Sequence, residues 1–175
     1  MLFRSEQHQK KALAIRKEIG DREGEAACYV NLGTVYHCRG EYAKAEDYLN
    51  NALAMERQLG NKAGEATCYG NLGNVSRSLG EYEKAEEYDR KALAITKEIG
   101  YRKGQATSYG NLGTLCRSLG KHAEAKQYHE KALTVSRAIS DLDAAAQWHL
   151  QLVYDAMFSE TNGSQDDIEI GRAHV

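Results

Sequence analysis

The stretch that decides the fold is residues 69–82, which read YGNLGNVSRSLGEY, followed by KALAI at residues 91–95. When the sequence is shifted by 40 residues, it matches itself without gaps. Residues 21–60 and 61–100 are identical at 20 of 40 positions, and residues 61–100 and 101–140 at 18 of 40. Self-similarity at a fixed period is the signature of a repeat protein.

Each 40-residue unit is predicted to fold as two α-helices. In the first unit, residues 22–39 place large side chains at spacings of three and four, which is typical of a helix. Gly40 ends this helix, residues 41–59 form the second, and Gly60 ends that one. Connections this short join antiparallel helices. We therefore expect an all-α solenoid of helical hairpins, without strands and with a break at each glycine of the half-unit period.

The two ends of the chain match half-repeats. Residues 4–19 align with a second helix, and residues 142–158 align with a degraded first helix. The predicted units, including a truncated repeat at the start and a truncated or capping repeat near the end, are 1–20, 21–60, 61–100, 101–140 and 141–158. Terminal helices of a solenoid leave apolar faces uncovered. We expect the chain to self-associate through such faces or to be only marginally stable. The faces are marked by Leu13, Ile15 and Ile19 and by Trp148, Leu152 and Phe158.

The tail, residues 159–175, is polar and aperiodic, so we expect it to be disordered. Its last part, residues 169–175, matches the translation of a common short-read sequencing adapter whose next codon in that frame is a stop. We expect that this end is an assembly artefact and that the chain is a fragment of a longer protein. The alternative is an ordinary disordered tail.

Glycines recur inside the first helix of each unit, at Gly33, Gly73 and Gly113. A glycine inside a helix costs about 1 kcal/mol relative to alanine. A cost repeated in every unit indicates a repeated packing requirement, and we expect a tyrosine or alanine of the partner helix to fill the space. Gly70 and Gly110 are expected to leave gaps in the wall of first helices.

The pattern resembles the tetratricopeptide repeat. The slots of that motif are filled in the first unit by Tyr29, Leu32-Gly33, Tyr36, Gly40-Glu41-Tyr42, Ala45 and Ala52-Leu53. The later units depart from it mildly, at Ser76, Cys116 and His122. The 40-residue period is similar to that of kinesin light chain and, more closely, of the Pins/LGN class of G-protein signalling modulators. The resemblance implies a right-handed superhelix whose first helices line a concave groove.

A polar stripe is predicted on the first helices once the core positions are removed. Its members are Asn31 and Thr34, Asn71 and Asn74, and Asn111 and Thr114, with Arg77 and Arg117 beside them. An asparagine amide carries donors and an acceptor, so it can pair with a passing peptide backbone, and arginine pairs with carboxylates. The resemblance implies peptide contact at Asn31, Asn71 and Asn111. The alternative is a solvated helix face.

Composition and motifs exclude several function classes. The formal net charge of −2 gives no general attraction to nucleic acid. No apolar run approaches the roughly 18 residues of a membrane helix. The four cysteines include no CxxC pair and are expected to be buried thiols in a reducing compartment. The six histidines form no HExxH motif. We therefore expect neither catalysis nor a metal or cofactor.

The function predicted is that of a cytoplasmic interaction module in a signalling or adaptor protein. It would act as a scaffold and hold an extended, acidic peptide of a protein partner in the concave groove. The alternative is a regulatory or sensor arm of a larger multidomain signalling protein, in which the repeats contact their own chain. A neighbouring catalytic domain in the complete gene would favour that alternative.

Overall fold

Eight α-helices and no strand make up the part of the chain that the structure describes. The structure is a computed structural model that describes the backbone of residues 2–172 and the side chains of residues 4–157. The helices are α1 (Leu2–Glu18), α2 (Arg22–Cys38), α3 (Tyr42–Leu59), α4 (Lys62–Ser78), α5 (Tyr82–Glu98), α6 (Arg102–Ser118), α7 (His122–Ala138) and α8 (Leu142–Arg172). The all-α repeat fold predicted from the 40-residue period is confirmed.

The chain divides into two compact units, Met1–Gly104 and Gln105–Val175. In the first unit, α2 pairs with α3 and α4 with α5, while α1 packs on α2 and α3 on α4. The first helices α2 and α4 also contact each other. In the second unit, α7 packs against α8, and a tyrosine pair joins it to α6. Within each unit, helices that are adjacent in sequence are thus adjacent in space.

The helices end in left-handed turns, as the glycine period predicts. At the end of α2, Gly40 has a φ of +75°, and the Glu41 amide donates to the Tyr36 carbonyl at 3.0 Å. This arrangement satisfies carbonyls that would otherwise lack a partner at the helix end. After α7, the period places Ser140 where the other turns have glycine, and Ser140 keeps the left-handed φ of +57°.

The starts of α2 and α4 are capped by side chains. Asp21 accepts a hydrogen bond from the Gly24 amide at 2.8 Å, and Asn61 accepts one from the Gly64 amide at 3.1 Å. Such caps satisfy amides that have no partner within the helix. The second helices α3, α5 and α7 start without a side-chain cap. Their position depends on packing rather than on local capping.

The glycines inside the first helices face one position of the partner helix. The facing residues are Leu49 for Gly33, Asp89 for Gly73 and His129 for Gly113. A methyl group on Gly33 would lie 2.6 Å from Leu49 Cγ, which no carbon atom tolerates. The predicted close approach is therefore present, but the prediction of a tyrosine or alanine at that place is wrong. A side chain that reaches from the partner helix covers the glycine.

The tyrosines of the second helices pack against the core. The Tyr48 ring lies over the Tyr36 ring with centroids 5.2 Å apart, and the ring of Tyr88 lies 5.9 Å from that of Tyr69.

The prediction that the cysteines are buried holds for three residues, since Cys28, Cys68 and Cys116 are buried. It is wrong for Cys38, which is exposed at the last turn of α2.

The end of α8 differs from the predicted end at residue 158, because the backbone stays helical to Arg172. No proline occurs there to break the helix. The side chains of residues 158–175 lie outside the described part, including Phe158 and the adapter-like residues 169–175, and so does the backbone of residues 173–175. Disorder of the tail stays a prediction.

Candidate functional site

The polar stripe begins on α2 with Asn31 and Thr34, which are both exposed. The Asn31 amide nitrogen donates to Gln9 Oε1 at 3.4 Å, a long bond from α2 to α1. Thr34 Oγ1 donates to the Val30 carbonyl of its own helix at 3.1 Å. The carbonyl oxygen of Asn31 is thus not used by Gln9, and it can accept a hydrogen bond from a ligand.

The stripe continues on α4, where the side chains are half-buried. Asn71 makes no hydrogen bond with the described residues. Asn74 Oδ1 accepts a hydrogen bond from Arg77 Nη2 at 2.8 Å. Asn74 therefore holds the guanidinium of Arg77 on this face, and Asn71 brings a donor and an acceptor that no described residue uses.

A contact between α2 and α4 connects the two parts of the stripe. His37 Nε2 and Ser78 Oγ lie 2.8 Å apart. Burial lowers the pKa of His37, and the positive charge of Arg77 lowers it further, against a hydrogen bond to the backbone of Asn74. The lowered pKa favours the neutral form of His37, and Arg77 beside it is positively charged.

The stripe residues of the second unit lie on α6. Asn111 and Thr114 are half-buried, and Thr114 Oγ1 donates to the Gly110 carbonyl of its own helix at 2.9 Å. Arg117 turns to α8, where Nη1 donates to Gln151 Oε1 at 2.5 Å and lies 3.7 Å from Asp155 Oδ1. The carboxylate that Arg117 meets in the structure is thus one of its own chain.

The gap that Gly110 was expected to leave is filled. A methyl group on Gly110 would lie 2.1 Å from the Trp148 ring, which is buried between α6 and α8. Trp148 also stacks on the His129 ring with centroids 6.2 Å apart. The expectation of an open wall at Gly110 is wrong. Trp148 is likewise not part of an exposed apolar end face.

A buried polar cluster in the second unit is absent from the sequence predictions. His129 Nδ1 and Asp155 Oδ2 lie 2.5 Å apart, with neither side chain exposed. One signal was available in the sequence. The 40-residue period places His129 in the slot of Leu49 and Asp155 in the slot of Val75, so two neighbouring core slots turn polar together.

A shallow cleft lies in the described part of each unit. The cleft of the first unit has a volume of about 220 Å³ and lies beside the stripe, with Asn31, Glu56, Gly64 and Thr67 in its wall. The cleft of the second unit has a volume of about 340 Å³ and is lined mainly by α7. Of these two clefts, that of the first unit adjoins predicted site residues.

The described residues contain neither a metal-binding group nor a helix that could cross a membrane. No group of three or more histidine, cysteine, aspartate or glutamate side chains there is arranged to hold a metal ion. Among those residues, too, no helix combines the length and the apolar character that crossing a membrane requires.

Comparisons with known structures agree on the fold. BtubC (BKLC) from P. vanneervenii matches 98% of this chain and 73% of its own length, with a TM-score of 0.72 and 23% identity. Aspartyl phosphate phosphatase F from Bacillus subtilis matches with a TM-score of 0.80 and 18% identity over 99% of this chain and 45% of its own. The Signal Transduction ATPase with Numerous Domains protein with a tetratricopeptide repeat sensor from Pyrococcus horikoshii matches with a TM-score of 0.70 and 24% identity, over 99% and 27%.

The sequence itself identifies the family. No curated protein matches the chain. The family model described as tetratricopeptide repeat matches residues 2–58, 39–98 and 64–138, which together span most of the chain. Its fold is generally a non-catalytic interaction scaffold. The resemblance predicted from the Asn-Leu-Gly and Ala-Leu slots is confirmed, and this chain belongs to the tetratricopeptide-repeat family.

Proposed function

We propose that the chain is a non-catalytic interaction scaffold that binds an extended, acidic peptide of a partner protein along its first helices. Asn71 carries the proposal, because it is half-buried on this face and makes no hydrogen bond with the described residues. A polar group held at a surface without a partner is ready to bind a peptide amide. Asn31, Thr34, Asn111 and Thr114 would extend the contact.

We assign the recognition of acidic peptide residues to Arg77 rather than to Arg117. Arg77 is held on the stripe by Asn74, with 2.8 Å between Nη2 and Oδ1. An arginine whose planar group is held in place loses little entropy when it binds a carboxylate. Arg117 already lies near Asp155, so we expect it to contribute less to peptide binding than Arg77.

The cytoplasm is the proposed location of the scaffold. The four cysteines are free thiols in the structure, and unpaired thiols are typical of a reducing compartment.

Selection from a library of random 12-residue peptides displayed on phage tests the proposal. We expect the selected peptides to contain Asp or Glu. In calorimetry, Asn71→Ala should weaken the binding several-fold, because one hydrogen bond contributes about 1 kcal/mol. Arg77→Glu should weaken it more, and the loss should shrink with added salt, because attraction becomes repulsion.

Glu83→Ala is the control, since Glu83 is exposed on a second helix. Its peptide affinity should equal that of the parent chain. Selected peptides without acidic residues, or parental affinity in both stripe variants, would show that the stripe is a solvated helix face.

A second candidate is a regulatory or sensor arm of a larger signalling protein. It is favoured by the fold match to a signal-transduction ATPase with a tetratricopeptide repeat sensor, of whose length the chain covers 27%. A complete transcript decides between the two, because a catalytic domain in the same reading frame would favour the sensor arm.

A further inference from the structure

Glu56 is a buried carboxylate in the wall of the cleft beside the polar stripe. It lies on α3, and only 7% of its surface is exposed. Its carboxyl group lies on Gly64, where a methyl group would come within 2.3 Å of Cδ. Its Oε2 atom is buried without a hydrogen-bond partner among the described residues. A buried, unpartnered carboxylate oxygen is costly, and such an atom calls for an explanation.

Two other carboxylates of the first unit show how buried charge is compensated elsewhere. Glu25 and Glu65 are 8% and 7% exposed, which matches Glu56. Glu25 lies within 4 Å of Lys17 and Arg22. Glu65 pairs with two cations as well, one of which is Arg57 at 3.0 Å. Glu56 has no cationic partner among the described residues.

The surroundings of Glu56 favour the arrival of a cation. Burial raises the pKa of its carboxyl group, a hydrogen bond from Asn61 lowers it, and the negative charge of Glu23 raises it again. A positive charge in the cleft would offset both the burial and the repulsion from Glu23. Because the last torsion of a glutamate side chain is broad, rotation can present either oxygen to the cleft.

The cleft offers acceptors that suit an ammonium group. Besides Glu56, its wall contains Asn31 and Thr67, whose side-chain oxygens can accept hydrogen bonds. The Thr67 hydroxyl donates its hydrogen to the Ala63 carbonyl at 3.0 Å. This bond leaves the lone pairs of the hydroxyl oxygen available to accept a hydrogen bond. A lysine ammonium has three donors and no acceptor. Ala27 and Val30 add apolar surface to the same wall for the methylene stem of a lysine.

We propose that this cleft binds a lysine side chain of the partner peptide, with Glu56, Asn31 and Thr67 as acceptors. The inference rests on the proposed peptide-binding function and adds a basic element to the acidic one. Thr67 and Arg77 lie ten residues apart on α4, which corresponds to about 15 Å at 1.5 Å per residue. An extended peptide covers this distance in about four to five residues. The partner peptide therefore carries a lysine about four to five residues from an acidic residue.

Calorimetry with paired peptides tests the lysine cleft. An acidic peptide from the phage selection is remade with either lysine or methionine at each position three to six residues from its acidic residue, on both sides. We expect a peptide with lysine four or five residues from its acidic residue to bind the parent chain about ten-fold more tightly than the same peptide with methionine. The lysine ammonium forms a charge-assisted hydrogen bond that methionine cannot form. In Glu56→Gln, which keeps the side-chain shape, this ratio should fall to about one.

Two further variants keep the test independent of the folding of Glu56→Gln. Thr67→Ala, at an exposed position of α4, should reduce the lysine preference without abolishing it. Glu83→Gln removes an exposed charge of α5 outside the cleft wall and should leave the preference intact. A preference that survives in Glu56→Gln overturns the assignment of the cleft.

The outcomes separate the two proposals. If the methionine peptides bind and lysine adds nothing at any position, the lysine cleft is wrong and the peptide-binding function stands. If neither series binds the parent chain, both proposals fail.

Discussion

His129 Nδ1 of α7 lies 2.5 Å from Asp155 Oδ2 of α8, and both side chains are closed off from solvent. The first unit has Leu49 and Val75 in the two equivalent slots, and both are buried. The intervening repeat has Asp89 and Leu115 in these slots, also buried, so the slots accept apolar and polar residues. The pair of His129 and Asp155 makes the contact between α7 and α8 depend on two groups that must stay together.

Breaking this pair should be more harmful than replacing it. His129→Leu or Asp155→Val alone should lower the free energy of unfolding by about 3–5 kcal/mol, because each leaves a buried polar group without its partner. The double variant should recover most of that loss, because an apolar pair of similar volume often replaces a buried ion pair without cost. Urea unfolding followed by circular dichroism measures this. His149→Ala, at an exposed position of α8, should stay within about 0.5 kcal/mol of the parent.

Gly33→Ala should destabilise the fold although alanine is the better helix former. The added methyl group meets Leu49 Cγ at 2.6 Å, and overpacking of this kind costs about 1–3 kcal/mol. The gain in helix propensity of about 1 kcal/mol does not offset the upper part of that range. Thermal unfolding gives the comparison. Thr34→Ala, one residue further at an exposed position, should be neutral or stabilising; equal stability of both variants would argue against the close approach.

The cysteines should differ sharply in reactivity. Cys38 is exposed, whereas burial raises the pKa of Cys68 to about 12, with smaller contributions from the charges of Glu56 and Glu65. A disulfide reagent at pH 8 should label Cys38 within minutes and Cys68 only after unfolding, because the thiolate is the reactive species. Cys38→Ser should remove the fast phase. A fast phase that remains in this variant would contradict the burial of the other thiols.

The same pKa predicts a loss of stability in alkali. The folded state holds the Cys68 proton up to a pH of about 12, whereas a thiol with the ordinary pKa of 9.0 releases it earlier. The unfolded state is therefore favoured as the pH rises through the interval between these values. Cys68→Ala should show a weaker dependence of the thermal midpoint on pH between about 9 and 11. Identical slopes in the variant and the parent would count against a buried thiol.

Glu6 should make the docking of α1 sensitive to acid. Hydrogen bonds from Lys10 and from Tyr36 lower the pKa of Glu6 to about 2, with the charge of Arg39 adding to them. Because the folded-state pKa is depressed, this contribution to stability is complete above a pH of about 4.5 and is lost as the pH falls toward 2. Glu6→Gln should therefore lower the thermal midpoint at pH 7 and match the parent at pH 2. Glu18→Gln, exposed on the same helix, is the control and should show no such convergence.

Self-association through the terminal helices remains a prediction, with a corrected set of residues. Ile15 and Ile19 on the α1 side are exposed, as expected, and Leu150 and Met157 of α8 take the place assigned to Trp148. Light scattering should show a molar mass that rises with concentration, because exposed apolar faces attract each other.

Variants separate this association from general stickiness. Replacing both Ile15 and Ile19 by lysine should lower the molar mass at high concentration. Leu79→Lys changes an exposed leucine at the end of α4 and should leave the mass unchanged. A parent chain that stays monomeric at every concentration would show that these ends act as caps.

The sequence by itself determined the all-α repeat fold. The signals that decide it are local: the three-to-four spacing within each helix, Gly40 and its equivalents at the turns, and loops too short for any other pairing. Helix hydrogen bonds join residues four apart, so they are readable from a short window of sequence. The stripe residues Asn31 and Asn71 could be proposed as site residues from the sequence alone. The period and the helix spacing together place them on equivalent faces.

Only the tertiary structure decided which polar groups are paired. It joined His129 to Asp155 across 26 residues, turned Arg117 toward α8 and left Glu56 Oε2 without a partner among the described residues. The 40-residue period assigns each residue a slot, but it does not say which side chains from neighbouring helices meet there. Long-range pairing depends on how side chains from separate helices fill one space, and a glycine such as Gly113 reveals that a neighbour comes close without naming it.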